Sequence, residues 1–162
     1  MYLDAYSLLQ DEHDALQPYE ALLSLSDDEL DVEVADAGGW SARDLLGHIV
    51  LWQEAALATA RELAVGPRSA TMERLEAQWA SAPEAGDAMN AEGIARFRAM
   101  SAEEVRAAFK TTAGELRGYL TVVPEARWIK DAKNQEYFLG ETADHYTDHV
   151  KELRAILAAL GR

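Results

Sequence analysis

The chain contains no cysteine, which removes disulfides, thiolate nucleophiles and cysteine-based zinc sites from the chemistry open to it. Any metal must be held by His, Asp or Glu, and any thiol chemistry must draw its thiol from outside. Basic residues are scarce: 15 Lys and Arg stand against 29 Asp and Glu, a formal net charge of −14. Such a chain repels phosphate backbones and lacks the basic stripe that non-specific nucleic-acid binding needs, so no nucleic-acid partner is expected. No stretch approaches the roughly 18 consecutive apolar residues of a membrane span, so no membrane partner is expected either. The opening Met1-Tyr2-Leu3-Asp4 lacks the basic-then-apolar order of a secretory signal, and a cytoplasmic protein is the plain expectation. Sustained β-branched alternation is also missing, as are fixed-period repeats and low-complexity tracts.

Ala, Leu, Glu and Arg dominate what is present, which points to an all-α protein. Its 162 residues suit one domain, and the periodicity predicts a four-helix bundle with a long, partly helical crossover between helices two and three. The first helix is predicted from about Tyr2 to Leu22-Leu23, with a stripe of Tyr6, Leu9, His13, Leu16 and Leu23 and a kink or a boundary near Gln17 imposed by Pro18. The second has the clearest start. Gly38-Gly39-Trp40 precedes Ser41-Ala42-Arg43-Asp44, a capping box closed by Asp, with Trp40 and Leu45 in the hydrophobic-staple positions. Its stripe runs through Leu45, Ile49, Trp52, Ala56 and Leu63 to Gly66-Pro67. From Pro67 to about Met100 the pattern weakens, with short helices predicted near Met72–Trp79 and Ala91–Met100. A third helix starts at Ser101-Ala102-Glu103-Glu104 and ends at Pro124; Gly114 and Gly118 either weaken it or admit a close neighbour. The last helix is predicted from Gly140-Glu141 to Gly161, with Tyr146, Val150, Leu153, Leu157 and Leu160 along its stripe.

The histidines carry the chemistry. His145 and His149 stack on one helix face, His149 between Leu153 and Ile156 and His145 at the edge of the apolar side. Two core-facing imidazoles need partners for their ring nitrogens, and a shared metal ion supplies one. By itself the spacing reads more readily as two hydrogen-bonded histidines. His48 also borders its helix's stripe, one turn before Trp52. If the second and last helices run parallel, all three imidazoles meet at one level; if antiparallel, the site must lie nearer mid-bundle. Three imidazoles suit a divalent metal and leave coordination positions open, the mark of a catalytic rather than a structural site. Tyr146 follows His145, so the glutamate of a zinc-peptidase motif is absent. His13 is a candidate to line the same cavity, although an ordinary core histidine is the weightier reading. Asp44 is a candidate to orient His48, although its capping role already explains it and is the preferred reading; Glu141 and Asp148 are candidates to orient the other imidazoles, with plain helix surface as the alternative. Trp52 and Tyr146 are candidate pocket walls that also fit as core aromatics.

Trp40-Ser41-x-x-Asp44-x-x-x-His48, followed near the C-terminus by His145-x-x-x-His149, resembles the DinB/YfiT-like metal-binding bundles, a superfamily that includes the metal-binding domain of mycothiol-dependent maleylpyruvate isomerase. The segment from Asn90-Ala91-Glu92 to Ser101-x-Glu103-Glu104-Val105 also resembles many members. The resemblance implies a four-helix bundle, a divalent metal (usually zinc or nickel) on His48, His145 and His149, and frequent homodimers. It further implies the use of low-molecular-weight thiols such as mycothiol or bacillithiol in transfer to, or isomerisation of, small-molecule substrates. No motif selects a thiol. Arg outnumbers Lys 11 to 4, but no basic cluster that would read a thiol's carboxylates is visible, and Arg43 and Arg61 read equally well as surface. The leading expectation is a metal-dependent enzyme activating a thiol or water. Competing readings are a non-catalytic metal or small-molecule binding protein, as in a stress-resistance role, and a metal-free structural dimerisation bundle.

Overall fold

Side-chain caps set most of the helix starts. Ser26, Ser41 and Ser101 each close a capping box with Glu29, Asp44 and Glu104, and Asp4, Ser69 and Asp131 each accept a hydrogen bond from the N–H three residues on, satisfying donors that a helix leaves open at its first turn. The computed structural model describes residues 1–82 and 84–162. Its helices are α1 (Ala5–Leu16), α2 (Asp27–Leu30), α3 (Ala42–Val65), α4 (Ala70–Ser81), α5 (Ala85–Arg98), α6 (Ala102–Leu120), α7 (Ala132–Glu141), α8 (Ala143–Asp148) and α9 (Val150–Ala159). Tight 3₁₀ turns cover Gln17–Ser24, Ala35–Ala37 and Glu125–Arg127. The fold is an all-α bundle. Pro18 ends α1 where expected, and the chain continues as the first of these 3₁₀ runs.

The last member of the bundle starts earlier than its apolar stripe suggests. It begins at Ala132 and is interrupted at Thr142 and again at His149. Periodicity misses α7 because three of its five buried positions, Asn134, Gln135 and Glu141, are polar: Asn134 donates to the Arg127 carbonyl at 2.7 Å, and Gln135 to the Ile129 carbonyl at 2.7 Å. Paired contacts give the helix directions. Along α3, His48 meets His149, Gln53 meets Tyr146, Thr59 meets Tyr137, and the Leu63 carbonyl meets Arg127. The α7–α9 run is therefore antiparallel to α3. The site can form in this arrangement because the earlier start at Ala132 puts His145 and His149 at mid-length of the run, while α9 passes the start of α3 and packs on Ala35–Ala37.

Helices α3 and α6 run parallel, since Arg43 reaches the Met100 carbonyl at one end and Arg61 reaches Glu115 at the other. Parallel neighbours cannot be joined by a short loop. Helices α4 and α5 make the connection, and α5 returns antiparallel along α3. Two glycines admit it at close range: a Cβ on Gly47 would stand 2.6 Å from the Phe97 side chain, and one on Gly93 would stand 2.6 Å from Leu51. At Gly114 and Gly118 a Cβ would meet nothing within 4 Å, so those glycines admit no close neighbour.

The core divides into two apolar clusters, one around Leu22, Leu45, Ile49, Phe97, Phe109 and Ile156, the other around Leu8, Leu63, Leu116, Trp128 and Phe138. A polar layer lies between them, one residue from each bundle member. Glu12 of α1 accepts from Arg117 of α6 at 2.5 Å and from the Tyr146 hydroxyl of α8 at 3.2 Å, and Gln53 of α3 donates to that hydroxyl at 3.0 Å. This layer corrects the reading of α1. The buried positions are Leu8, Glu12 and Leu16, while Tyr6 and His13 face solvent. A hydrophobic pattern places a glutamate outside; paired carboxylates are the exception that burial tolerates. No helix among the described residues is long and apolar enough to cross a membrane.

Candidate metal centre

The first turns of α3 and the break between α8 and α9 bring His48, His145 and His149 together. Their ring centroids are 4.5–4.8 Å apart, and one nitrogen from each lies within 4.8 Å of the others. His48 Nε2 and His149 Nε2 are 2.9 Å apart. Two nitrogens bound to one zinc-sized ion at about 2.0–2.1 Å stand roughly 3 Å or a little more from each other, so this pair is near that spacing. His145 Nε2 is buried and has no hydrogen-bond partner. An orphaned imidazole nitrogen beside two facing ones is a donor set that fits a divalent cation. Burial, reinforced by the neighbouring imidazoles, pushes His48 down to about 3, with the Asn90 side chain opposing the shift. Burial and His149 push His145 down to about 4. Both rings are neutral at neutral pH, the form a metal ligand needs.

The walls combine Trp52, a candidate wall on the predicted stripe of α3, with residues that sequence periodicity left unassigned. Trp40 stacks on His149 with centroids 5.5 Å apart and tilts over His48 at 4.9 Å. It is delivered by a tight turn in which the Val34 N–H donates to the Trp40 carbonyl at 3.2 Å, while Gly38 and Gly39 adopt φ of 67° and 85°, left-handed values that favour glycine. The Gly38-Gly39-Trp40 triplet was legible as a helix start, but a ring reaching back over two imidazoles was not. Trp52 lies 6.1 Å from His145 and 5.9 Å from Trp79, and its indole N–H donates to Asn90 Oδ1 at 2.9 Å. Asn90 lies on α5, within the segment that carried part of the family resemblance. Glu152, one turn past His149, puts Oε2 3.5 Å from His149 Nδ1; no sequence pattern distinguished it from other acids of the last helix.

The remaining candidates divide. Asp44 closes the α3 cap and takes two hydrogen bonds from Arg98, at 2.7 and 2.8 Å. Burial pushes its pKa up, but Arg98 and the Ser41 N–H outweigh it, and the net shift is downward. Its carboxylate is thus occupied away from His48. Tyr146 packs against Tyr19 and belongs to the polar layer rather than to a wall of the site. His13 and Asp148 are exposed. Glu141 is buried, one turn before His145, and lines a cleft of about 280 Å³ together with Trp79 and Tyr137. With burial as its cause, its carboxyl is raised to about 8. Arg43 is paired with Asp31 at 2.5 Å and Arg61 with Glu115 at 2.5 Å, so neither is a free cation.

No curated protein and no solved structure gives a significant match to this sequence. The model of one family, described as the DinB superfamily, matches residues 13–159, a span that takes in α3, the crossover and all three clustered histidines. The chain belongs to the DinB superfamily.

Proposed function

We propose that this protein is a metal-dependent enzyme in which His48, His145 and His149 hold one divalent cation, zinc or nickel, for activation of a low-molecular-weight thiol or of water towards a small electrophile. The observation that carries the reading is the convergence of three imidazoles without a fourth protein ligand beside them among the described residues. Three ligands leave room for an exogenous one, and with no cysteine in the chain a thiol ligand has to be exogenous. When bound, such a cation lowers the pKa of a coordinated thiol or water enough to supply an anionic nucleophile near neutral pH.

The protein's own residues do the rest. Trp40 and Trp52 cover the imidazoles and limit access of bulk water. The cleft lined by Trp79, Tyr137 and Glu141, with Glu141 four residues before His145 in the chain, is the place for the electrophile. The Glu141 carboxyl, neutral through most of the physiological range, faces it as a hydrogen-bond donor. Homodimerisation, frequent in this family, accompanies the proposal as an expectation to be read by light scattering.

Elemental analysis tests the reading first. About one zinc or nickel per chain is expected, with loss of the ion in His48→Ala, His145→Ala and His149→Ala and retention of helicity in each, because the apolar clusters carry the bundle. Absence of metal after incubation with zinc or nickel and dialysis would overturn it. If metal is present, consumption of thiols by small electrophiles identifies an enzyme. Stoichiometric metal without turnover across such a panel would assign the chain to metal or ligand binding instead.

A further inference from the structure

We propose that Glu152 is the residue that orients His149, its carboxylate accepting from the imidazole on the side opposite the metal. The inference rests on the three-histidine reading. His149 turns Nε2 towards His48, at 2.9 Å. If Nε2 is the ligand nitrogen, the neutral ring carries its proton on Nδ1. His149 Nδ1 is buried and has no hydrogen-bond partner. Glu152 Oε2 is likewise buried and unpartnered, and the two atoms are 3.5 Å apart across one turn of helix. Two complementary orphans in such proximity need only a small side-chain rotation to reach the roughly 2.7–2.9 Å of a charge-assisted hydrogen bond.

No other carboxylate on this run is placed to serve. Asp144 and Asp148 are exposed, and Glu141 lines the cleft. The Tyr19 hydroxyl, on the inner side of this run, already donates to the Tyr146 carbonyl at 2.5 Å. Trp40 stacks on the His149 ring at an interplanar angle of 26°, which restricts the plane of the imidazole and leaves its tautomer to be chosen by the Nδ1 partner. A carboxylate in that position fixes the tautomer, holds the ring and raises its basicity as a ligand, the usual contribution of outer partners to metal-bound histidines. Glu152 is a positioning residue, acting through His149.

The test is zinc binding by chelator competition in wild type, Glu152→Ala and Glu152→Gln, read beside the imidazole ¹⁵N spectrum of His149. Glu152→Ala is expected to weaken zinc binding by about 10–100-fold and to speed solvent exchange of the Nδ1 proton, with helix content unchanged. Glu152→Gln, whose amide oxygen still accepts, falls between. Equal affinities in all three proteins, with an unchanged His149 spectrum, would overturn the proposal. If Glu152→Ala fails to fold, Glu152→Gln is judged by the same two readouts. A wild-type chain that takes up no zinc counts against the metal centre itself. The tautomer in the metal-free protein then decides on Glu152: a proton held on Nδ1 and redistributed in the variants supports the contact, and identical spectra reject it.

Discussion

His48 and His145 are held neutral by burial, and Glu141 is held protonated by the same cause, so these side chains pull stability in opposite directions as pH changes. Glu141 ionises near 4.5 when unfolded and near 8 when folded. Between those values the folded state keeps a proton that the unfolded state has released, so this contribution is complete below pH 4.5 and is lost as pH rises towards 8. The two histidines, at 6.5 unfolded and about 3 and 4 folded, favour folding above pH 6.5 and lose that advantage as pH falls. Of the three, only Glu141 titrates between pH 6.5 and 8. In that range Glu141→Gln is expected to gain on wild type by on the order of 1–2 kcal/mol, measured on metal-free protein by urea denaturation at both pH values. A difference that does not change with pH would show that Glu141 is already ionised at pH 6.5. The three histidines were legible because each sits on a predicted apolar face. Trp40, Asn90 and Glu152 were not, because nothing in their local sequence says which way a turn, a crossover or a helix surface will face.

At the scale of elements, the packing of α5 on α3 decides whether Asn90 and Trp52 reach the histidines. Gly47 is the less forgiving of the two glycines in that seam, since a Cβ there would lie 2.6 Å from Phe97 Cβ and Cγ, atoms with little freedom to retreat, whereas one on Gly93 meets the end of the Leu51 side chain. Gly47→Ala is expected to cost about 1–3 kcal/mol by overpacking. It should also raise the solvent exposure of Trp52, read from its fluorescence. Gly114→Ala, in the open interior of α6, should instead stabilise by about 0.5–1 kcal/mol through helix propensity. Paired urea melts check both signs. The start of α7 belongs to the same scale. Its first turn is capped by Asp131 but built on Asn134 and Gln135, whose buried amides are satisfied by the Arg127 and Ile129 carbonyls. Apolar periodicity cannot see a helix anchored by hydrogen bonds to the segment before it.

For the whole molecule, the layer of Glu12, Gln53, Arg117 and Tyr146 aligns the four bundle members against one another. An apolar core tolerates sliding, whereas a buried carboxylate has one register in which a guanidinium and a hydroxyl reach it. Glu12 is fully buried and its partner Arg117 only partly so. Glu12→Leu is expected to destabilise by about 2–4 kcal/mol, because it strands the Arg117 charge and the Tyr146 hydroxyl. Adding Arg117→Leu should recover at least half of that loss, and a double-mutant cycle by urea denaturation measures the coupling. Strictly additive effects would show that the layer is not a unit. Tyr146 ties the layer to His145, its immediate neighbour, so zinc affinity in Glu12→Leu also reports how far register controls the site.

The amino-acid sequence by itself determined the helical class, the capped starts of α3 and α6, the end of α1 at Pro18, the helical content of the crossover and the three histidines on core-facing positions. These follow from periods of three to four residues and from caps, which are local physics. The tertiary structure alone decided the antiparallel course of the last helix against α3, the inward turn of Glu12 in place of His13, and the closure of the site by Trp40, Asn90 and Glu152. The reason is the same in each case. A polar side chain is buried or exposed according to whether a partner meets it, and the partners lie far along the chain: Arg117 is 105 residues from Glu12, and His149 is 101 residues from His48.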